Sequence, residues 1–232
     1  MANRVSTTPI IALDVPNGED ALEMVEYFGG LCRFYKVGNE LFTAAGPAIV
    51  QALRARRCDV FLDLKFHDIP NTVAGGVRNA AAMGARLVTV HASGGRAMLE
   101  AAVTAAGTQC GVLAVTVLTS LDAKDVDEAW GRQGVDVSTE VLRLAQLAAD
   151  SGCHGIVCSG QEAGRIRERF GDRLATLVPG IRAAAGAADD QVRVVTPEGV
   201  RNAGARYAVV GRMVTAAEDR RAAMEQVRAA LT

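Results

Sequence analysis

Net charge is almost absent from this sequence: 25 basic and 26 acidic residues leave −1 at pH 7. A chain without an excess of either sign projects no strong field toward nucleic acid or an anionic membrane, so any anion site has to be built locally. Long apolar runs are missing as well. Residues 1–8 lack the apolar core of a signal peptide, and no stretch approaches the roughly 20 apolar residues that span a bilayer, which predicts a cytoplasmic protein. The five cysteines, Cys32, Cys58, Cys110, Cys153 and Cys158, are odd in number and form no C-x-x-C pair, so buried, reduced thiols are expected rather than a disulfide framework. His67, His91 and His154 show no metal-ligand spacing and read as structural. No linker rich in Pro, Gly or Ser divides the 232 residues, which predicts a single domain spanning 1–232.

Lysine is the scarcest charged residue, with three lysines against 22 arginines. Generic surface charge is therefore carried by arginine. Two of the lysines, Lys36 and Lys65, fall inside apolar, strand-like text, where an ammonium is costly unless paired and where its proton affinity can be tuned.

What is abundant is a repeated alternation. Short apolar segments at 10–14, 34–37, 60–64, 87–91, 112–118, 155–158, 174–178 and 207–210 read as strands. Helical periodicity or alanine-rich helical text lies between many of them, at 19–28, 47–56, 73–83, 97–106, 139–149 and 161–170. Eight strands alternating with helices predict a parallel sheet that closes as a (β/α)8 TIM barrel. An open doubly wound sheet is the alternative, but no G-x-G-x-x-G turn follows the first strand.

Strand-breaking polar residues gather at the C-terminal ends, which in a barrel form the active-site face: Asp14, Lys36, Asp63 with Lys65, His91 and Thr119. Side chains alternate along a strand, so Leu62, Leu64 and Phe66 are expected to face the helices and Asp63 and Lys65 the lumen. One buried Asp and Lys could be a structural ion pair. Lys36 from the neighbouring strand and Asp68 just beyond extend it to an alternating row of four charges, which reads as a reactive site. After the eighth strand, Gly211 and Arg212 stand where barrels often hold phosphate, glycine admitting backbone amides and arginine gripping an anion by two hydrogen bonds. The segment 179–196, rich in Ala and Gly and carrying Arg182 and Gln191, is expected to be a lid over the ligand.

Taken in order, I-A-L-D ending at Asp14, F-Y-K-V-G around Lys36, D-L-K-F-H-D-I-P-N-T over 63–72, L-T-S around Thr119, P-G-I-R ending at Arg182, D-Q-V-R around Gln191 and V-G-R ending at Arg212 resemble the orotidine 5′-monophosphate (OMP) decarboxylase family. D-x-K-x-x-D is shared by a wider set of barrels, whereas the extended motif with the other segments is far more specific. The resemblance implies conversion of OMP to UMP and carbon dioxide without metal or cofactor. Lys65 would be the proton donor to C6, Asp63 would sit against the departing carboxylate, and Lys36 and Asp14 would contact the ribose, with Lys36 also holding Asp63. Thr119 would address the pyrimidine, and Arg182, Gln191, Gly211 and Arg212 would close over the phosphate. Asp68 and Thr72 would reach into the partner's site of a homodimer, with no nucleic acid or membrane as partner.

Three alternatives are weighed beside it. A magnesium-dependent sugar-phosphate decarboxylase or aldolase of the same suprafamily shares the core motif, but it would carry an acidic ligand where Lys36 stands, and a cation there repels the metal. A Schiff-base aldolase would need a neutral lysine, which flanking carboxylates disfavour. A non-catalytic phosphate-binding barrel would keep the fold without the chemistry.

Overall fold

The structure, a computed structural model, describes residues 6–182 and 195–232. Its strands are β1 (Thr8–Ala12), β2 (Phe34–Gly38), β3 (Asp59–Phe66), β4 (Leu87–His91), β5 (Gly111–Val115), β6 (Gly155–Val157), β7 (Ala175–Val178) and β8 (Tyr207–Val210). All pair in parallel and in sequence order, and β8 returns to β1, so the sheet is a closed barrel as expected. The helices are α1 (Gly18–Phe28), α2 (Asn39–Ala45), α3 (Pro47–Ala55), α4 (Pro70–Ala82), α5 (Arg96–Ala106), α6 (Ala123–Trp130), α7 (Val137–Asp150), α8 (Gly160–Phe170), α9 (Pro197–Asn202), α10 (Arg212–Thr215) and α11 (Arg220–Leu231).

Two apolar layers follow from strand alternation. Inward residues such as Ile10, Phe34, Phe61, Leu87, Leu113, Leu177 and Tyr207 fill the lumen. Their outward neighbours, including Ile11, Tyr35, Val60, Leu62, Val88 and Val210, join the helices in a larger core. At Gly155 an added Cβ would lie 2.2 Å from the Ala175 carbonyl oxygen, so only glycine lets β6 and β7 approach this closely. The inward side chains fill the barrel's interior, and a cavity opens above them at the strands' C-terminal ends.

Local rules account for most helix limits. Asn17 caps α1 through the Asp20 N–H, and Ser159 caps α8 in a box with Glu162. Helices α2, α6, α9, α10 and α11 were not among the expected segments. Several are short, and α6 and α11 are polar enough that their buried stripes reduce to Val126 in one and Met224, Val227 and Leu231 in the other. The strand expected over 112–118 stops at Val115, and residues 116–121 turn across the barrel mouth instead.

Candidate active site

Strand β3 supplies the centre. Phe61, Asp63 and Lys65 all line the cavity at the barrel mouth, while Leu64 and Phe66 pack toward the helices, as alternation requires. Regular pairing fails here: Leu62 lies opposite Val88 and Phe66 opposite Val90, so extra β3 residues bulge out. Lys65 takes a φ of 50°, a left-handed conformation that a non-glycine residue adopts at a cost of order 1–3 kcal/mol. Its ammonium donates to Asp63 Oδ2 at 2.8 Å, and the pair is mostly shielded, with the Asp63 side chain 13% exposed.

Beside it, Lys36 on β2 donates to Asp14 Oδ1 at 2.7 Å. Gly38 makes room for this pair, since a Cβ there would sit 3.1 Å from Lys36 Nζ. Lys36 was expected to hold Asp63; in the described residues its ion pair is with Asp14, and the row of charges consists of two pairs side by side. Both ammonium groups remain on the cavity wall, so a ligand would meet two cations and two carboxylates.

The far side carries two arginines and two glycines. Gly180, Arg182, Gly211 and Arg212 line the cavity, and Arg212 opens α10 directly after Gly211. Ile181 pairs with Val195, and the Arg182 N–H donates to the Val195 carbonyl at 3.0 Å, so the chain on either side of 183–194 meets at the cavity rim. Val115, Leu118 and Thr119 provide the wall between the two ends. The cavity measures about 510 Å³, within the roughly 300–1,000 Å³ of small-molecule sites.

Of the residues singled out in the sequence, Asp14, Lys36, Asp63, Lys65, Thr119, Arg182, Gly211 and Arg212 therefore come together. Asp68 and Thr72 do not line this chain's cavity; they are exposed at the start of α4, where the Asp68 carboxylate accepts from the Ile69 N–H. Gln191 and most of the expected lid lie outside the described residues. All five cysteines are buried thiols. Among the described residues, no group of three His, Cys, Asp or Glu side chains is placed to hold a metal, and no helix is long and apolar enough to cross a membrane.

One neighbour escaped the sequence reading, and a second, His91, was placed on this face but read as structural. Thr89 of β4, fully buried, accepts from the Lys65 N–H and donates to Asp63 Oδ1, both at 2.9 Å. His91, two residues on, has its ring 5.2 Å from that of His67. Burial pushes the His91 imidazole below its ordinary 6.5, and His67 and Lys65 push it the same way. The alternation that placed Asp63 and Lys65 in the lumen, applied from His91 back along Leu87-Val88-Thr89-Val90-His91, would have placed Thr89 there too.

Comparison with known proteins agrees with this geometry. The model of the orotidine 5′-phosphate decarboxylase / HUMPS family matches residues 7–227. The chain is 50% identical over 224 residues to an orotidine 5′-phosphate decarboxylase of Halorhodospira halophila, covering 95% of this chain and 94% of the relative. It is 47% identical over 218 residues to one from Alcanivorax borkumensis, covering 92% and 93%. A crystal structure of orotidine 5′-phosphate decarboxylase from Lactobacillus acidophilus superimposes with a TM-score of 0.84 at 34% identity, covering 97% of this chain and 99% of that one.

Proposed function

The chain belongs to the orotidine 5′-phosphate decarboxylase / HUMPS family and is a carboxy-lyase that converts OMP to UMP and carbon dioxide in pyrimidine biosynthesis; from that premise we propose that Lys65 and Asp63 carry the chemistry. The observation behind this reading is the Asp63–Lys65 pair, 2.8 Å apart on the wall of a cavity whose opposite end is lined by Arg182, Gly211 and Arg212. Phosphate held at that end orients the pyrimidine toward β3, and binding energy far from the reacting carbon serves to assemble the site.

In the reaction the bond from C6 to the carboxylate breaks and its electron pair stays on C6. The Lys65 ammonium, fixed by Asp63, faces the growing negative charge and delivers its proton to C6, and solvent then reprotonates the amine. Asp63 lies against the departing carboxylate. Lys36 and Asp14, bonded to one another, address the ribose hydroxyls, and Thr119 addresses the ring. Arg182, Gln191, Gly211 and Arg212 take the phosphate.

The assembly we propose is a homodimer with shared sites, in which Asp68 and Thr72 complete the partner's cavity. Their exposure supports this, as does Ile69 beside them, a large apolar side chain 67% exposed. The place of action is the cytoplasm, and neither nucleic acid nor membrane is a partner.

Lys36 disfavours the magnesium-dependent reading, because a cation paired with Asp14 stands on β2 where that reading needs a metal ligand. The test is to mix purified protein with OMP and follow ultraviolet absorbance and carbon dioxide release, with and without EDTA. Turnover unaffected by chelation is expected; inhibition reversed by magnesium would restore the metal-dependent alternative, and absence of turnover would overturn the decarboxylase reading.

A further inference from the structure

Thr89 lies opposite the bulge in β3. Because Leu62 pairs with Val88 and Phe66 with Val90, Asp63, Leu64 and Lys65 together face this one residue. A Lys65 amide in left-handed backbone falls outside the regular ladder, and a buried N–H without an acceptor is costly. The Thr89 hydroxyl oxygen accepts that N–H at 2.9 Å. Its own single proton goes to Asp63 Oδ1 at 2.9 Å, while Asp63 Oδ2 accepts from Lys65 Nζ at 2.8 Å. The ring is closed: backbone of Lys65, hydroxyl of Thr89, carboxylate of Asp63, ammonium of Lys65.

We propose that Thr89 is a positioning residue for decarboxylation, its hydroxyl holding at once the strained backbone of Lys65 and the carboxylate that aims the lysine. This inference rests on the decarboxylase reading of the same cavity. The hydroxyl is fully buried and spends both of its capacities, acceptor and donor, on the two residues that do the chemistry. Valine has the same shape and neither capacity. In Thr89→Val the Lys65 N–H and Asp63 Oδ1 lose their partner, the bulge relaxes, and Nζ is no longer held over C6. Among the described residues the Thr89 hydroxyl bonds to Lys65 and Asp63, not to Arg182, Gly211 or Arg212, so ground-state capture of the nucleotide is left alone.

The experiment compares wild type, Thr89→Val, Thr89→Ala and Thr89→Ser, with competent sites counted by calorimetric titration of UMP. Deuterium uptake at C6 of UMP in heavy water, read by NMR, reports the proton transfer of Lys65 separately from loss of carbon dioxide. For Thr89→Val, kcat per competent site is expected to fall roughly 10- to 100-fold, since misplacement by about 1 Å costs that much. C6 exchange should fall with it, KM and UMP affinity should move less than about threefold, and Thr89→Ser should recover most of the loss. If the valine variant does not fold, the alanine variant is read in the same way against serine. Wild-type kcat in the folded valine or alanine variant, no recovery by serine, or a loss confined to KM and UMP affinity would each overturn the proposal. A wild-type protein that releases no carbon dioxide from OMP would instead overturn the decarboxylase reading, and this inference with it.

Discussion

At the scale of single residues, the proposed site asks its two cationic ends to do different work, and mutation separates them. Lys65 faces the carbon where charge develops, so Lys65→Ala removes both a proton donor and a stabilising charge. Turnover should drop by roughly 10³-fold or more while the melting temperature and UMP binding persist. A folded Lys65→Ala enzyme with substantial activity would move the chemistry elsewhere. Arg212 is assigned to a part of the substrate that does not react. Arg212→Ala should lower kcat/KM by an amount equivalent to roughly 2–3 kcal/mol, the worth of a charge-assisted hydrogen bond, as steady-state kinetics at low OMP would show. An unchanged kcat/KM would place the phosphate at another part of the rim.

At the scale of elements, the strands were more legible than the helices that surround them. Most strands are short runs of large or branched apolar residues, and both β4 and β8 match their expected limits of 87–91 and 207–210. Helices declare themselves by caps, and α8 shows this best. Ser159 precedes it, Glu162 returns a carboxylate to the Ser159 N–H, and the Ser159 hydroxyl accepts from the Gln161 N–H at 3.2 Å. Ser159→Ala should cost about 1 kcal/mol, and up to about 2 given that the serine is fully buried, measured by denaturant unfolding. Stability equal to wild type would mean that α8 is held by Ala163, Ile166 and Phe170 alone. Short helices such as α2 and α10 have too few turns for a periodic signal and form because the barrel holds their ends.

At the scale of the molecule, a barrel presents every βα loop on one face, so Asp14 and Arg212 reach a common cavity although 198 positions separate them. The proposed dimer adds residues that no single chain can bring. If Lys65→Ala and Asp68→Ala chains are unfolded together and reassembled in equal amounts, each parent dimer is crippled in both sites, but a mixed dimer holds one intact site. Random pairing should then restore about a quarter of wild-type activity. No recovery, with mixed dimers demonstrated by mass spectrometry, would mean that Asp68 serves its own chain.

Pattern by itself determined that this chain is a barrel of alternating strands and helices, because strand alternation and helical periodicity are local consequences of backbone geometry. It also put Asp63 and Lys65 in the lumen, and the extended motif pointed to their chemistry. What only the tertiary structure decided were partnerships across strands. Lys36 bonds to Asp14 rather than to Asp63, and Thr89 bridges the backbone of Lys65 and the carboxylate of Asp63. Neither follows from spacing along one strand, because barrel register sets which side chains are adjacent, and the bulge between Leu62 and Phe66 resets that register where the chemistry lies.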